Sequence, residues 1–470
     1  MPPNVADLIA ARAAAHPAHA ALVQRGAAVS FAELLARADA IASRLRALLG
    51  AVEAPRVGLF CPNGADYVAL ALGILRAGGC LIPVATELAP PERAAQIALT
   101  APHLVIAAGP HPWLPGPGTP EETAGVSWQW ARGTASAAFP EDRLAALAPA
   151  FVRFSSGTTG ASKGVVLGHA TLLARIRSAN RRLGITAADR VLWTLPMAHH
   201  FAVSIVLYLV EGATTVLEDS HLAGDVLTTA RACGATVIYG SPFHHALLAA
   251  EESGRGWPTL RLAVSTAAQL STETASAFHR RFGVPLAQGL GIIEAGLPLL
   301  NTDAAKPLSV GRPDDVEVRL RDGASGELLL RGPGFFDAYL APWRERAEVL
   351  DDGWFATGDL ADCDADGHVF LRGRAKSVLN VGGMKFFPEE VEAVMGSHPA
   401  VALARVSGRS HPDFGMVPVA EVVLKPGHPP PRPIELMSLC RAQLSRHKIP
   451  AEIRFVDSIP LTPSGKIRRA

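Results

Sequence analysis

Short apolar segments alternate with amphipathic ones over most of the first 300 residues, and this alternation constrains the fold more than any other feature. Arg56–Cys61 and Cys80–Val84 have the composition of buried strands, whereas Phe31–Leu49 and Tyr67–Ala77 repeat apolar residues at helical spacing. Strands that alternate with helices predict a largely parallel sheet with helices on both faces. We therefore expect an α/β fold, in which residues 109–145, rich in Pro and Gly and without clear periodicity, form surface loop.

The pattern changes towards the C-terminus. Between about residues 317 and 371, polar turns separate short apolar segments, which predicts antiparallel strands in a β-rich subdomain. A smaller α+β pattern follows, and a chain of 470 residues is too long for one core. We predict a large N-terminal domain, residues 1–374, which combines parallel-rich α/β sheets with the β-rich subdomain, and a small α+β C-terminal domain, residues 375–470.

Charge and cysteine content argue against several classes of protein. The 44 basic and 43 acidic residues nearly cancel, which gives no support to nucleic acid or an anionic membrane as the main partner. The five cysteines are odd in number and far apart, so they predict neither a disulfide framework nor a zinc knuckle. The N-terminus does not resemble a secretory signal, and the apolar run Phe201–Val210 is about half as long as a membrane span. We expect a cytoplasmic protein without membrane insertion.

The segment Phe151–His169, FVRFSSGTTGASKGVVLGH, is the most informative about chemistry. Its small residues let backbone N–H groups approach a polyphosphate, its hydroxyls add donors, and its lysine adds positive charge. It is not a Walker A loop, because Ser162 precedes the lysine and Gly164 follows it. The segment predicts a phosphate-binding loop formed by Ser155, Ser156, Gly157, Thr158, Thr159 and Lys163.

Three other patterns only partly match metal or dinucleotide motifs. Adjacent residues on a strand point to opposite faces, so His199 and His200 are not expected to share a metal ion. Asp362–Gly373 begins like a calcium loop but ends in glycine where a bidentate Glu is required, and a hairpin turn is expected instead. The run GLGIIE from Gly289 lacks the third glycine of the dinucleotide fingerprint.

Six segments, in order, resemble the adenylate-forming superfamily of acyl-CoA synthetases, peptide-synthetase adenylation domains and luciferases. They are SSGTTGASKG at Ser155–Gly164, LPMAHHF at Leu195–Phe201, GLGIIEAG at Gly289–Gly296, WFATGDL at Trp354–Leu360, GRAKSVLNVGGMKFFPEEVE at Gly373–Glu392 and PLTPSGKIRR at Pro460–Arg469. Together they extend over essentially the whole chain. The resemblance implies an enzyme that uses ATP to convert a carboxylic acid to its acyl-adenylate, with release of pyrophosphate, and then passes the acyl group to a thiol.

The resemblance also implies roles for single residues of the ATP site. Asp359 would bind the ribose hydroxyls, and Arg374 would contact the same sugar or the phosphates. Glu294 would hold Mg²⁺ against the triphosphate. Lys466 would reach the acyl carboxylate and the α-phosphate and stabilise the charge that develops during phosphoryl transfer. The remaining nucleotide-site positions are Ala267, Ala268, Gly289, Leu290 and Ile293.

This chain departs from the family's pattern at that site. Leu290 stands where an aromatic side chain usually stacks on adenine, and Ile293 stands where a threonine usually bonds the phosphate. The loop that often reads Gly-Gly-Ala-Pro is Thr266, Ala267, Ala268 and Gln269. These departures motivate an alternative of another class, a non-catalytic relative that binds a nucleotide or an acyl group.

The C-terminal domain resembles one that rotates between the two half-reactions, so the resemblance implies that it is mobile. Lys376 occupies the hinge position. Rotation would remove Lys466 from the active site and bring in the loop of Gly382 and Gly383, which leaves room for a pantetheine arm. CoA is the expected acceptor, and a stand-alone enzyme that loads the phosphopantetheine of a carrier protein is the alternative. A luciferase-like oxygenase carries the same motifs.

By the same resemblance, His199 lies near the acyl carbonyl and the thiol entrance. Ala202 stands where amino-acid-activating relatives have an Asp, and a buried ammonium without a carboxylate is costly, so an α-amino acid is not expected. His200 stands where activators of dihydroxybenzoate have an Asn, which speaks against that acid. A mostly apolar pocket is compatible with an aryl acid or a medium-chain fatty acid. The residues assigned to this pocket are His200, Phe201, Ala202, Ser204, Tyr239, Gly240 and Gly291.

Overall fold

The structure is a computed structural model that describes residues 3–154, 163–254, 256–266, 270–302, 306–374, 379–381, 384–411, 415–461 and 467–468. By its internal contacts the chain divides into two units. The first comprises Met1–Pro307 with Gly332–Gly353, and the second comprises Leu308–Arg331 with Trp354–Ala470. Most of the β-rich segment thus belongs to the second unit, and the boundary at residue 374 stays a prediction.

The first unit contains an eight-stranded sheet whose interior pairs are parallel. Its two edge pairs are antiparallel, as in many α/β sheets. The strands, in spatial order, are β15 (Gly296–Asn301), β14 (Leu286–Ile292), β13 (Leu262–Ser265), β12 (Val237–Gly240), β10 (Arg190–Trp193), β11 (Thr214–Leu217), β1 (Ala20–Gln24) and β2 (Ala27–Ser30).

A nine-stranded sheet completes the strands of this unit. Four adjacent central strands are parallel, and the strands outside them are antiparallel. The strands, in spatial order, are β19 (Arg344–Glu345), β18 (Ala338–Tyr339), β9 (Val165–Gly168), β8 (Pro149–Arg153), β4 (Cys80–Val84), β3 (Arg56–Phe60), β5 (Leu104–Ala108), β7 (Val126–Arg132) and β6 (Thr119–Thr123).

The loop predicted for residues 109–145 is wrong in part, because it contains β6, β7 and a short helix. In β7, Val126 and Trp128 are buried. This strand pairs with β5 on one side and β6 on the other. The many Pro and Gly residues around it conceal its alternation in the sequence.

Helices α2 and α6 contact strands of both sheets and therefore pack between them. α2 begins at a capping box, in which the Ser30 hydroxyl accepts from the backbone of Glu33 and the Glu33 carboxylate accepts from the backbone of Ser30. The helices of the unit are α1 (Val5–Ala15), α2 (Phe31–Leu49), α3 (Ala65–Arg76), α4 (Pro90–Thr100), α5 (Glu141–Ala146), α6 (His169–Leu183), α7 (Met197–His200), α8 (Ile205–Glu211), α9 (Ala223–Ala232), α10 (Pro242–Ala250), α11 (Thr272–Phe282) and α12 (Arg346–Val349).

The second unit is built from small sheets. A four-stranded antiparallel sheet contains β16 (Glu317–Leu320), β17 (Ser325–Arg331), β20 (Phe355–Cys363) and β21 (Val369–Arg374). The other strands are β22 (Leu379–Val381) with β23 (Met384–Phe386), and β24 (Val401–His411), β25 (Gly415–Leu424) and β26 (Glu452–Phe455). Its helices are α13 (Pro388–Gly396), α14 (Pro433–Gln443) and a short 3₁₀ helix, Arg446–Lys448.

The expected hairpin between β20 and β21 is confirmed. The Asp364 carboxylate accepts from the backbone N–H groups of Asp366 and His368 at 3.0 and 2.9 Å, which closes the turn. The prediction of an α/β chain with a parallel-rich N-terminal part and a smaller α+β part is confirmed as well. In the described part of the chain, no helix combines the length and hydropathy needed to cross a membrane.

Candidate active site

Three neighbouring parallel strands of the eight-stranded sheet end at one edge, which is where α/β proteins bind ligands. Gly240 ends β12, Thr266 follows β13, and Gly289 lies in the middle of β14, one residue beyond the last pair of β13 with β14. The backbone N–H of Thr266 donates to the carbonyl oxygen of Gly240 at 3.0 Å. Its hydroxyl donates to the carbonyl oxygen of Gly289 at 3.3 Å. Thr266 therefore ties the three strand ends together.

An aromatic cluster covers this edge. Trp193 stacks on Tyr239 with ring centroids 6.0 Å apart, and the His200 ring lies edge-on to both, at 5.7 and 6.5 Å. The Phe201 ring packs against Tyr67 at 5.4 Å. The structure thus brings together three residues predicted for the acyl pocket and adds Trp193 and Tyr67, which sequence reasoning missed.

The other residues predicted for the pocket differ in their surroundings. Ala202 and Ser204 are buried, and Ser204 hydrogen bonds the Tyr208 hydroxyl. Gly291 is exposed, and a Cβ added there would meet one atom within 4 Å, the Thr266 hydroxyl at 3.4 Å. Gly291 therefore leaves space beside the strand ends.

The two adjacent histidines lie on the short helix α7, so the strand assumed for them was wrong. The Asn63 side chain positions the start of this helix, because it accepts from the backbone N–H of Met197 and donates to the carbonyl oxygen of Leu195, both at 2.8 Å. The histidine side chains have different neighbours. His200 packs on the aromatic cluster, whereas His199 pairs with a carboxylate.

That carboxylate is Glu87, whose Oε1 lies 2.7 Å from Nε2 of His199. Burial disfavours the charged form of Glu87, but the hydrogen bonds that it accepts, from His199 above all, outweigh burial and hold the pKa of Glu87 below its usual range. The two residues are 112 positions apart, and no motif links them. Sequence reasoning therefore found His199 without its partner.

With His199 in the role that the resemblance implies, Glu87→Gln is expected to slow thioester formation on the order of tenfold, because the neutral amide binds the His199 ring less strongly and orients it less well. Stability should change little, since the pair is 25% and 33% exposed. Acyl-CoA formation from supplied acyl-adenylate measures the effect, with the exposed Glu53→Gln as the matched control. An unchanged rate of this step would contradict a role for Glu87.

On the phosphate side of the site, Tyr339 connects two predicted residues. Its hydroxyl donates to Oε1 of Glu294 at 3.0 Å, and Nζ of Lys163 lies 4.8 Å from the centroid of its ring. Burial raises the pKa of Tyr339, and the negative charge of Glu294 raises it further, so the hydroxyl remains a donor. β18 supplies this tyrosine by pairing with β9, which continues from the loop that contains Lys163.

The turn that carries Glu294 is held by a buried arginine of α6. Arg175 donates to the carbonyl oxygens of Ile293, Glu294 and Gly334, the first at 2.9 Å. Burial lowers the pKa of Arg175 to about 9. Gly334 has a φ of +76°, and an added Cβ would lie 2.7 Å from Cγ of the arginine, so only glycine permits this approach. Arg175 is thus a positioning residue for Glu294.

The nucleotide-site residues on β14 contribute backbone and apolar surface. Leu290 is buried and pairs with Leu299 of β15. A Cβ added to Gly289 would lie 2.9 Å from Leu297 Cδ1, so this position favours glycine. Ile293 is half-buried in the turn, and Arg175 holds its carbonyl group.

In the second unit, Asp359 lies on β20 with its side chain 7% exposed. Its backbone N–H donates to the Thr357 hydroxyl at 3.0 Å, and this hydroxyl donates to the carbonyl oxygen of Leu328 at 2.8 Å. Its partner across the strand pair is Arg374. The fold therefore places the backbones of the two predicted ribose-binding residues opposite each other.

Several predicted site residues lie outside the described part of the chain. They are Ser155, Ser156, Gly157, Thr158, Thr159, Ala267, Ala268, Lys376, Gly382, Gly383 and Lys466, together with the side chain of Arg374.

Comparison with known families agrees with this arrangement. The family described as AMP-binding enzyme matches residues 9–340, and the AMP-binding enzyme C-terminal domain matches residues 390–466. The chain belongs to the AMP-binding enzyme family. The predicted membership of the adenylate-forming superfamily is thereby confirmed.

Two curated relatives are similar over nearly their full length. A sulfoacetate–CoA ligase from Cupriavidus necator is 30% identical, with 99% of this chain and 96% of that protein covered. A feruloyl-CoA synthase from Amycolatopsis is 29% identical, with 97% and 96% covered. These AMP-binding family members are named for different acids.

Two solved structures are similar to this chain over nearly its whole length. O-succinylbenzoate coenzyme A synthetase (MenE) from Bacillus subtilis in complex with AMP has a TM-score of 0.84 and 26% identity, with 99% of this chain and 97% of that chain covered. The amide bond synthetase McbA from Marinactinospora thermotolerans has a TM-score of 0.81 and 25% identity, with 98% of each chain covered.

Proposed function

We propose that this chain, an AMP-forming acyl-CoA ligase of the AMP-binding family, activates an aryl or medium-chain carboxylic acid for transfer to CoA. A carboxylate oxygen attacks the α-phosphorus of ATP, pyrophosphate leaves, and the acyl-adenylate forms. The thiol of CoA then attacks the acyl carbonyl carbon, and AMP leaves. One observation carries the proposal. The Tyr339 hydroxyl donates to Glu294 while its ring lies against Lys163, so one tyrosine holds an acidic and a basic side chain at the end of the proposed phosphate loop.

Magnesium is proposed at Glu294. Among the described residues, no group of three or more His, Cys, Asp or Glu side chains could hold a resident metal ion. A single half-buried carboxylate nevertheless fits Mg²⁺, which usually binds through one or two carboxylates together with phosphate oxygens and water. The ion would arrive with ATP and neutralise charge on the phosphates, while Tyr339 and Arg175 hold Glu294 in place.

The remaining roles are also proposals. Asp359 would accept hydrogen bonds from the ribose hydroxyls, because an ionised carboxylate is an acceptor and its strand holds it in place. Leu290 would offer adenine an aliphatic surface in place of an aromatic ring. Lys466 would act in adenylation. The loop of Gly382 and Gly383 would admit the pantetheine arm after rotation about Lys376.

The lining of the acyl pocket favours an aryl acid over a flexible fatty acid. The rings of Trp193, Tyr239 and His200 pack with centroids within 6.5 Å of one another, and an aryl group beside them would gain specific ring-pair interactions beyond its buried area. Ala202 supplies no carboxylate for an ammonium group, which argues against α-amino acids.

Pyrophosphate release with ATP and Mg²⁺ tests the proposal over a panel of aryl, fatty and amino acids, with and without CoA. We expect release that CoA stimulates, with acyl-CoA detected by mass spectrometry. Release that CoA leaves unchanged would favour a carrier-protein phosphopantetheine, which presents the same arm. Nucleotide binding without pyrophosphate release in the presence of any acid would favour a non-catalytic binding role. The aliphatic Leu290 and Ile293 are the reason for considering that alternative.

A further inference from the structure

A second buried arginine, Arg153, ends β8 two residues before the glycine- and hydroxyl-rich loop begins. Its side chain is only 9% exposed. It shares a strand face with Phe151, because residues i and i+2 point the same way. Phe151 packs against Phe201 of the acyl pocket, with ring centroids 6.2 Å apart. The guanidinium therefore lies at the end of β8 that reaches α7, where it bonds the carbonyl oxygen of His199.

Arg153 has fewer hydrogen-bond partners than its burial requires. Among the described residues its guanidinium has one acceptor, the carbonyl oxygen of His199. A guanidinium has five N–H donors, so this single acceptor leaves donors of Arg153 available for a further partner. Arg175, which is also buried, donates to three carbonyl oxygens. The comparison indicates that Arg153 keeps donors for which the described residues supply no acceptor.

The surroundings of Arg153 favour an anion as that partner. Burial lowers the pKa of Arg153 to about 10, so it stays charged at neutral pH, and it interacts electrostatically with Tyr67, Glu294 and Tyr239. The Tyr67 hydroxyl is fully buried and has no hydrogen-bond partner within the described ranges. Burial raises the pKa of Tyr67, so this hydroxyl remains protonated. Tyr67 therefore contributes no negative charge near Arg153, and the positive charge of Arg153 remains available to an anion.

We propose that Arg153 binds the carboxylate of the acid substrate before it attacks ATP. This inference rests on the proposed function, since a carboxylate is the anion that every acid substrate carries. The planar guanidinium matches the two oxygens of a carboxylate. Its bond to the backbone of His199 fixes the guanidinium at the end of the pocket where the phosphate loop starts. No bond is made or broken in this step, which compensates the charge of the acid and sets its orientation.

The test compares binding of acids with binding of their neutral amides in the absence of ATP. Titration calorimetry with benzoate and benzamide, and with hexanoate and hexanamide, is carried out on the wild type, Arg153→Met and Arg153→Lys. Arg56→Met is the matched control, because Arg56 is also buried but bonds Thr100, Ala101 and Glu141 away from the aromatic cluster.

We expect the wild type to prefer each carboxylate over its amide, and Arg153→Met to weaken carboxylate binding by about tenfold to a hundredfold while amide binding is unchanged. Arg153→Lys should restore part of the preference, and Arg56→Met should keep it. Equal losses for acid and amide, or no wild-type preference, would overturn the proposal. A wild type that prefers carboxylates but releases no pyrophosphate would refute the proposed function and leave this assignment standing.

Discussion

Replacing Lys466 with alanine is expected to lower the rate of adenylation by about a thousandfold while the chain stays folded and still forms thioester from supplied acyl-adenylate. A lysine placed at the acyl carboxylate and the α-phosphate stabilises charge that develops only during adenylation. The thiol attack that follows does not need this cation. Pyrophosphate exchange measures the first step, and acyl-CoA formation from synthetic acyl-adenylate measures the second.

Two further variants make the result specific to Lys466. Arg468→Ala removes a neighbouring positive charge and should leave both steps intact, which tests whether the basic character of this segment is enough. Gly383→Trp should spare adenylation and block thioester formation, because the indole fills the space assigned to the pantetheine arm. Adenylation that survives in Lys466→Ala would refute the assigned role, and equal loss of both steps in Gly383→Trp would refute the rotation between two conformations.

Arg175→Met is expected to lower the free energy of unfolding by about 2 kcal/mol, because it removes a donor from three carbonyl groups and leaves two of them, those of Ile293 and Gly334, without another donor among the described residues, at about 1 kcal/mol each. The third, that of Glu294, still accepts from the backbone N–H of Phe336 at 2.8 Å. The loss should extend to activity, since two of these carbonyl groups belong to the turn that carries Glu294. Chemical denaturation measures the stability, and pyrophosphate release at a temperature where the variant is folded measures adenylation.

The exposed Arg177 on the same helix provides the control, and Arg177→Met should leave stability and adenylation nearly unchanged. The KM for ATP with Mg²⁺ distinguishes a positioning role from a purely structural one. It should rise in Arg175→Met, because the turn no longer holds Glu294 in place. A variant that is destabilised but keeps wild-type kinetics when folded would show that Arg175 supports the fold without positioning the carboxylate.

The elements with a strong local signal could be predicted from sequence. α2 begins and ends at the predicted residues because a capping box precedes a regular apolar stripe, and β4 is a continuous apolar run. Local sequence patterns gave wrong predictions where contacts with other parts of the chain decide the secondary structure. β7 forms because β5 and β6 flank it, and α7 forms where two adjacent histidines suggested a strand.

In the candidate site, too, residues within local motifs could be predicted and long-range contacts could not. Glu294, Asp359 and His199 were predicted because each belongs to a recognisable motif. The residues that support them, Glu87 and Arg175, were not predicted, because they lie 112 and 118 positions along the sequence from the residues that they bond. Arg153 lies inside the most informative motif, yet its place on an apolar strand gave no sign that its charge is buried beside a pocket.

The chain passes between its two units three times, since Gly332–Gly353 returns to the first unit after β16 and β17 have joined the second. A recombinant fragment that stops at Pro307 would therefore lack β18, and β9 would become an exposed edge strand open to aggregation. It would also lose Tyr339 and the Gly334 carbonyl that Arg175 binds. For protein engineering, a cut after residue 353 keeps the nine-stranded sheet complete but divides the four-stranded sheet, whereas a cut after residue 374 keeps both sheets complete.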